Sequence, residues 1–254
     1  MAFITLNYFS EALGMQTEVY VVIPQKSNVG EIGIGTVRHT GQYKCLYLLH
    51  GYGDDQTIWM RRTSIERYAT EYGICVVMPC GGRSFYTDMK YAMKYYTFVA
   101  KELPKMVCEM FPVSDRREDN YLAGNSMGGY GALKIALREC DRFCGAAALS
   151  PVTDLNFLQR QGWFDLFHMI FGDTDDIPEQ EQLSWLLEQK KEDPNRPRIY
   201  VGVGREDFLF GDSRTFREQI EAMDYDFTYR ESAGKHSWAF WDEYIRYALK
   251  WMFG

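Results

Sequence analysis

A serine enclosed by glycines joins a strand-like run to a helix-like run in the segment 121–139, which reads YLAGNSMGGYGALKIALRE. Apolar residues before Gly124 predict a short strand, and apolar residues that recur after Gly128 predict one face of a helix. On such a sharp turn the serine hydroxyl points outward, and the flanking glycines avoid collisions with neighbouring backbone. The positive N-terminal end of the helix would favour negative charge on a bound acyl group. We therefore interpret Ser126 as a catalytic nucleophile; the alternative is a glycine-rich turn with an incidental serine.

From Lys44 onward, short apolar runs alternate with longer helix-like stretches. The runs read CLYLL, ICVVM, YLAG, CGAAAL and RIYVGVG. This alternation predicts an α/β fold, in which a mostly parallel sheet carries helices on both faces. Before it, apolar segments at 3–9 and 18–23 flank a turn at Gly14 and predict an antiparallel strand pair at a sheet edge. Helices are predicted at 58–71, 95–111, 127–138, 213–223 and 238–252.

The 254 residues show no boundary, so we expect one domain that spans residues 1–254. The stretch 154–193 is longer than one crossover usually needs. We predict that it is a helical insertion over the carboxyl ends of the strands, where α/β sheets bind ligands, or else an oligomer contact. Its acidic segment 173–176 is too short for a calcium loop. We expect Asp176 to cap a helix whose first residues are Ile177 and Pro178.

Composition excludes several classes of function. The net charge is −7 and basic residues form only short pairs, which argues against nucleic acid and anionic membranes as partners. No apolar run is long enough to span a bilayer, and the N-terminus lacks the features of a secretory signal, so we expect a cytoplasmic protein. The six cysteines show no spacing typical of a metal site or disulfide framework. We interpret Cys45, Cys75 and Cys144 as core residues and expect free thiols.

A serine nucleophile needs a histidine base and an orienting carboxylate. Of the four histidines, His236 lies in a loop between a strand-like run and the last helix, whereas His168 lies at helical spacing among aromatic residues and fits packing better. The strand-like run IYVGVG leads directly into Arg205, Glu206 and Asp207. We favour Asp207 over its neighbour Glu206 as the carboxylate, in part because the family resemblance described below implies it. Asp212 is typical of a helix N-cap instead.

A different chain order, with His50, Asp88 and Ser126 as in chymotrypsin-like enzymes, belongs to an all-β architecture that this sequence does not fit. The segment CLYLLHGYGDD instead predicts that the loop after the strand supplies an oxyanion donor. We assign the oxyanion hole to the N–H groups of Tyr52 and Met127, with Gly51 as the alternative to Tyr52.

Four residues that follow strand ends or lie in the insertion are candidates for the substrate pocket: Trp59, Arg83, Tyr86 and Trp163. The ordinary alternative for each aromatic residue is a place in the core. Arg83 is a candidate for holding a polar leaving group such as a sugar.

Five segments in this order resemble the family of putative esterases that includes esterase D, and within it the bacterial tributyrin or acetyl esterases. They are LLHGYGDDQTIWMRRTSIERYA, VVMPCGGRSFYTDM, GNSMGGYGALKIAL, VGVGREDFLF and GKHSWAFWDEYI. The resemblance covers residues 16–251 and implies an α/β-hydrolase fold, no metal or organic cofactor, and a triad of Ser126, Asp207 and His236. It also implies hydrolysis of short-chain acyl esters. Asn125 stands where relatives commonly have leucine or histidine, which weakens inference about the acyl group.

The sequence thus predicts a serine carboxylesterase that acts on a small or carbohydrate-linked ester through an acyl-enzyme. S-formylglutathione hydrolases and feruloyl or acetyl-xylan esterases resemble it more distantly. An acyltransferase would use the same triad and pass the acyl group to an alcohol. A binding protein without activity would be expected to have lost a triad residue, and a homo-oligomer is compatible with the sequence.

Overall fold

The computed structural model describes residues 1–25, 41–173 and 176–254. Within them, eight strands form one sheet in the order β1-β2-β4-β3-β5-β6-β7-β8. The strands are β1 (Ala2–Ser10), β2 (Met15–Ile23), β3 (Cys45–Leu49), β4 (Cys75–Pro79), β5 (Asn120–Asn125), β6 (Gly145–Leu149), β7 (Arg198–Gly204) and β8 (Phe227–Ser232). β1 pairs antiparallel with β2, and β2 with β4, whereas the remaining neighbours are parallel. The predicted α/β fold with an antiparallel edge pair is confirmed.

Helices cover both faces of the sheet. They are α1 (Ile58–Arg62), α2 (Ile65–Tyr72), α3 (Tyr95–Thr97), α4 (Leu103–Met110), α5 (Met127–Arg138), α6 (Leu155–Arg160), α7 (Phe164–Phe171), α8 (Leu183–Lys190), α9 (Phe210–Glu221) and α10 (Trp238–Phe253), with a π-helical segment at Phe98–Glu102. Residues of α4, α5, α8 and α9 belong to one buried apolar cluster, and residues of α1, α2 and α10 belong to a second on the opposite face.

The central strands are apolar throughout because both of their faces are buried. In β3, Cys45, Tyr47 and Leu49 join the first cluster, whereas the alternating Leu46 and Leu48 join the second. All six cysteines are free thiols, and Cys45, Cys75 and Cys144 are buried as expected.

Two of the predicted helices are interrupted for local reasons. The predicted helix 58–71 breaks between α1 and α2, where the Thr63 hydroxyl donates to the Trp59 carbonyl and accepts the Ile65 N–H. Such side-chain bonds compete with the helical pattern. The predicted helix 95–111 passes through the π-helical segment just before Pro104, whose ring would clash with the carbonyl four residues earlier.

Two predicted helix starts are wrong. Asp212 is not the N-cap of a helix at 213, because α9 begins at Phe210 and Asp212 lies in its first turn. No helix begins at Ile177: Pro178 is extended, with ψ of 132°, and a 3₁₀ turn at Glu179–Glu181 precedes α8. The residue before a proline is itself biased away from helical geometry. Thr174 and Asp175 of the acidic segment lie outside the described residues.

Both halves of the stretch 154–193 contact the rest of the fold. In its first half, the Trp163 ring packs against Tyr52 and the Phe167 ring against Phe85, both in loops that follow strands. In its second half, α8 packs against α5 and α9. That the stretch 154–193 is a helical insertion over the carboxyl ends of the strands stays a prediction.

Candidate active site

Ser126 occupies the sharp turn between β5 and α5. Its backbone has φ of 54° and ψ of −118°, a region that non-glycine residues rarely adopt. The strain is held by hydrogen bonds on both sides, since the Ser126 N–H donates to the Leu149 carbonyl and the Ser126 carbonyl accepts the Tyr130 N–H. Such strain persists only where the surroundings impose it, and it is concentrated at functional sites.

The flanking glycines are required by close backbone packing. A Cβ on Gly128 would overlap the Leu49 carbonyl and lie 2.7 Å from the His50 carbonyl oxygen. A Cβ on Gly124 would overlap the backbone of Gly128 and lie 2.8 Å from the Leu49 carbonyl oxygen. The turn can therefore press against the end of β3, which brings Ser126 beside the loop that follows that strand.

The structure brings Ser126, His236 and Asp207 into one hydrogen-bonded row. His236 Nε2 lies 3.0 Å from Ser126 Oγ, and His236 Nδ1 lies 2.9 Å from Asp207 Oδ2 and 3.0 Å from Oδ1. With the Nδ1 proton directed at the carboxylate, Nε2 is free to accept the serine proton. Ser126 and His236 are partly exposed, whereas Asp207 is buried and also accepts the Leu209 N–H at 2.9 Å.

Two neighbouring loops position the acid and the base. Asp207 follows β7 and His236 follows β8, and these strands are parallel neighbours. The loops are joined by the Arg205 N–H donating to the Ser232 carbonyl and the Glu206 N–H donating to the Gly234 carbonyl. The Glu206 carboxylate accepts the Gly234 N–H, so it braces the loop and does not contact His236.

The other sequence candidates are occupied elsewhere. Both ring nitrogens of His50 are engaged, by the Gly51 carbonyl and the Gly81 N–H. The Asp88 carboxylate accepts hydrogen bonds from the backbone and hydroxyl of Thr97. His168 lies in α7 among the packed aromatic residues, as expected.

His50 also orients the peptide bond that carries the Tyr52 N–H. His50 Nε2 accepts the Gly81 N–H at 2.8 Å, so Nδ1 carries the proton and donates to the Gly51 carbonyl, also at 2.8 Å. Burial lowers the pKa of His50, which keeps the ring neutral. In a trans peptide the carbonyl and the following N–H point in opposite directions, so a fixed Gly51 carbonyl fixes the Tyr52 N–H. Within the described ranges, neither the Tyr52 nor the Met127 N–H donates to a backbone carbonyl.

The four candidate pocket residues divide into two pairs. Trp59 is 1% exposed and donates to the Leu49 carbonyl, and Tyr86 is 0% exposed and donates to the His50 carbonyl, so both are packed inside. Both side chains therefore hold the backbone at the end of β3, and neither lines an open pocket in this structure. Trp163 is partly exposed and packs edge-on against Tyr52, with ring centroids 4.6 Å apart. The exposed Arg83 places its guanidinium 5.1 Å from the centre of the Tyr52 ring.

Sequence reasoning missed the aromatic residues around His236. The Trp241 ring stands perpendicular to the imidazole at 4.9 Å, and its Nε1 donates to Ser150 Oγ at 3.1 Å. The exposed Phe208 ring lies 4.7 Å from the imidazole, with the planes inclined at 55°. The sequence could have indicated both residues, because Phe208 directly follows Asp207 and Trp241 lies five residues after His236, near the start of α10.

A buried lysine behind the site was also missed. Lys134 in α5 is 0% exposed and donates to the Phe85 carbonyl, Thr87 Oγ1 and Glu181 Oε2. Burial lowers its pKa to about 8, and the negative charge of Glu181 opposes that shift. The sequence could have indicated this residue, because Lys134 stands among the apolar residues of a predicted helix.

Other kinds of site receive no support from the described residues. In the ranges 1–25, 41–173 and 176–254, no three His, Cys, Asp or Glu side chains cluster so that they could hold a metal ion. None of the helices in these ranges combines the length and apolarity needed to cross a membrane.

The mostly parallel sheet, the strained serine and the Ser–His–Asp row define the class: a serine hydrolase with the α/β-hydrolase fold. The chain belongs to the family described as "Putative esterase", whose model matches residues 10–252. It is a carboxylic ester hydrolase.

Individual relatives match over nearly the whole chain. An acetyl esterase of Caldicellulosiruptor saccharolyticus is 28% identical and covers 99% of this chain and 98% of its own length. Among solved structures, the fluorophosphonate-binding serine hydrolase F of Staphylococcus aureus is 34% identical with a TM-score of 0.90, covering 100% of this chain and 98% of its own. An S-formylglutathione hydrolase of the same organism is also 34% identical, with a TM-score of 0.87 and coverage of 100% and 99%.

Proposed function

We propose that Ser126 is the nucleophile, His236 the general base and acid, and Asp207 the orienting carboxylate of an esterase for short-chain acyl esters. The observation that carries the proposal is the 3.0 Å contact between His236 Nε2 and Ser126 Oγ, with Nδ1 bound to Asp207. Nucleophile and base lie within the reach needed for proton transfer.

The reaction follows from these roles. Ser126 Oγ attacks the ester carbonyl carbon while His236 Nε2 takes its proton, and the carbonyl electron pair moves onto oxygen. The N–H groups of Tyr52 and Met127 stabilise that oxyanion. When the intermediate collapses, the alcohol leaves with the proton from His236 and the acyl group stays on Ser126. Water then repeats the sequence, which releases the acid and restores the serine.

Two observations support short acyl groups. The rings of Trp163 and Tyr52 pack against each other beside the proposed oxyanion donor, which restricts the space on that side. The relatives include an acetyl esterase and an S-formylglutathione hydrolase, whose names specify acyl groups of two carbons and one carbon. The second relative makes a short-chain thioester the second candidate substrate.

Hydrolysis of p-nitrophenyl acetate, butyrate and octanoate by the wild type and Ser126→Ala tests the proposal. We expect kcat/KM to fall with chain length, and the variant to lose at least about 10⁴-fold, because it lacks the attacking oxygen. Ser184→Ala, at an exposed serine in α8, is the matched control and is expected to keep wild-type activity. A folded Ser126→Ala protein with wild-type turnover would show that Ser126 is the wrong residue, and preference for octanoate would contradict the short acyl group.

We also propose a cytoplasmic site of action and self-association. Six free thiols support a reducing compartment. Phe3, Phe9 and Met15 are 45%, 56% and 44% exposed at the β1–β2 edge of the sheet, which supports contact with a second copy. Light scattering of the purified protein would give its mass, and a monomer at all concentrations would contradict self-association.

A further inference from the structure

Phe208 is an exposed aromatic side chain beside the proposed catalytic base. Its side chain is 62% exposed, and its ring centroid lies 4.7 Å from that of His236. It directly follows Asp207, so the same loop carries the proposed acid and this ring. A large apolar side chain left in water at the edge of a site is a surface that a ligand can cover.

The exposure is imposed by the surrounding backbone. On one side, Asp207 is buried and donates its N–H to the Gly204 carbonyl at 3.1 Å. On the other side, Leu209 is 0% exposed and its N–H donates to Asp207 Oδ1. With both neighbours held inside, the chain can turn Phe208 only outward. The Phe208 ring therefore stands on a braced loop, beside a histidine whose own position is set by Asp207.

The chemistry places one part of the substrate next to this ring. The leaving alcohol takes its proton from His236 Nε2, so its oxygen must come within hydrogen-bond distance of that atom. The groups attached to that oxygen then lie close to a ring 4.7 Å from the imidazole. Tyr52, whose N–H is the proposed oxyanion donor, packs with Trp163 and Arg83 instead. Phe208 therefore lies near the leaving alcohol of the ester, whereas Tyr52 lies near its carbonyl oxygen.

We propose that Phe208 forms a leaving-group subsite that selects esters of aromatic alcohols, such as aryl esters, over esters of small aliphatic alcohols. This inference rests on the proposed function and names the alcohol half of its substrate. A flat apolar leaving group packs against the exposed ring and removes it from water, which a two-carbon alcohol achieves only in small part.

The experiment compares two acetates that give the same acetyl-enzyme, phenyl acetate and 2,2,2-trifluoroethyl acetate, in the wild type, Phe208→Ala and Phe208→Tyr. Phe208→Ala is expected to lower kcat/KM for phenyl acetate by about tenfold and for trifluoroethyl acetate by less than about twofold. Phe208→Tyr keeps the ring and is expected to retain the wild-type ratio of the two values. Differences in leaving-group reactivity cancel in this ratio, because they are the same for every variant.

Met110→Ala is the matched control, since Met110 is 54% exposed and is the last residue of α4, outside the proposed site and the proposed contact with a second copy. Its ratio is expected to equal that of the wild type. Equal losses on both acetates in Phe208→Ala would overturn the inference and show that Phe208 only supports His236. A change in oligomeric mass in Phe208→Ala would overturn it in favour of contact with a second copy. If wild type cleaves neither acetate while folded, the proposed function fails and this inference with it.

Discussion

At the residue scale, the candidate site depends on single side chains that hold backbone groups in place. His50 is the clearest case, because it lies within the HGYG segment and both of its ring nitrogens bind backbone groups. Its Nδ1 donates to the Gly51 carbonyl and its Nε2 accepts the Gly81 N–H. The first bond sets the direction of the Tyr52 N–H, and the second joins two loops. Each ring nitrogen of His50 therefore has its own function: Nδ1 orients the Tyr52 N–H, and Nε2 joins the two loops.

Substitutions that preserve one bond each test this separation. The amide nitrogen of His50→Asn can take the place of Nδ1, whereas His50→Gln extends to the position of Nε2. We expect His50→Asn to keep kcat within about tenfold of wild type, and His50→Gln to lose about 100-fold in kcat with little change in KM. The measurement is steady-state hydrolysis of p-nitrophenyl acetate, with melting temperatures to confirm folding. If the glutamine variant is the more active one, His50 does not orient an oxyanion donor.

At the residue scale the sequence also predicted Asp207 in preference to Glu206, although the two are adjacent. Their different hydrogen-bond partners explain the outcome. Asp207 turns inward to His236, and Glu206 turns outward to the Gly234 N–H in the next loop. The sequence could place both residues at a strand end, but only the pairing of the two loops assigns each carboxylate its partner.

At the element scale, α9 begins early and buries a carboxylate. Asp212 lies in its first turn, and burial together with the nearby charge of Asp154 raises its pKa to about 6. Its Oδ2 is buried and has no hydrogen-bond partner among the described residues. The raised pKa means that the folded state binds this proton more tightly than the unfolded state does. The contribution of protonated Asp212 to the free energy of unfolding is therefore present at low pH and is lost as pH rises from about 4 to about 6.

Asp212→Asn should remove this pH dependence. Above the folded pKa the wild type carries the cost of a partly buried charge, so we expect the variant to gain about 1 kcal/mol in free energy of unfolding near pH 7.5, after allowance for solvent screening. Near pH 3.5 the gain should be close to zero, because the carboxyl is mostly protonated in both the folded and the unfolded wild type. Urea denaturation at both pH values measures it. Asp165→Asn, in the first turn of α7, is the matched control, and an equal gain at both pH values for Asp212→Asn would contradict the account.

At the scale of the whole molecule, one buried ion pair connects three parts of the chain. Lys134 in α5 is bound to the loop of Phe85 and Thr87 and to Glu181, which also pairs with Arg138 at 2.9 Å. Glu181 lies in the 3₁₀ turn that precedes α8. The Lys134 ammonium thus joins the helix that follows Ser126, the loop that carries Arg83 and the second half of the stretch 154–193.

Removing the carboxylate should cost more than removing the lysine. Glu181→Gln leaves the fully buried ammonium without a counter-ion, and we expect a loss of about 3 kcal/mol in unfolding free energy. Lys134→Met removes the buried charge while Glu181 keeps Arg138, and we expect a loss of about 1 kcal/mol. Denaturant unfolding of both variants measures the difference.

Glu109→Gln is the control for this comparison, because it disrupts an exposed Lys105–Glu109 pair at 3.9 Å. Its cost is expected to stay below about 0.5 kcal/mol. If Lys134→Met proves more costly than Glu181→Gln, the hydrogen bonds to the Phe85 loop matter more than the charge balance.

Much of this protein was determined by local sequence. Buried strands are apolar on both faces, amphipathic helices repeat at their own period, and a serine between glycines can adopt the sharp turn; all three patterns are visible in the residues alone. They predicted the strands, α5 from its first residue to its last, and Ser126 and His236 of the hydrogen-bonded row, while the choice of Asp207 rested in part on the family resemblance. The position of each of these three residues after a strand also supported the prediction, because parallel strands bring their carboxyl ends to one edge of the sheet.

The tertiary structure decided which side chains are buried and what they face. Trp59 and Tyr86 lie inside, whereas Phe208 lies outside, although all three are aromatic residues in or near loops. The early start of α9 and the break between α1 and α2 depend on side-chain contacts that composition does not encode. Burial and pairing are properties of positions brought together from distant parts of the chain, and only the packed fold brings them together.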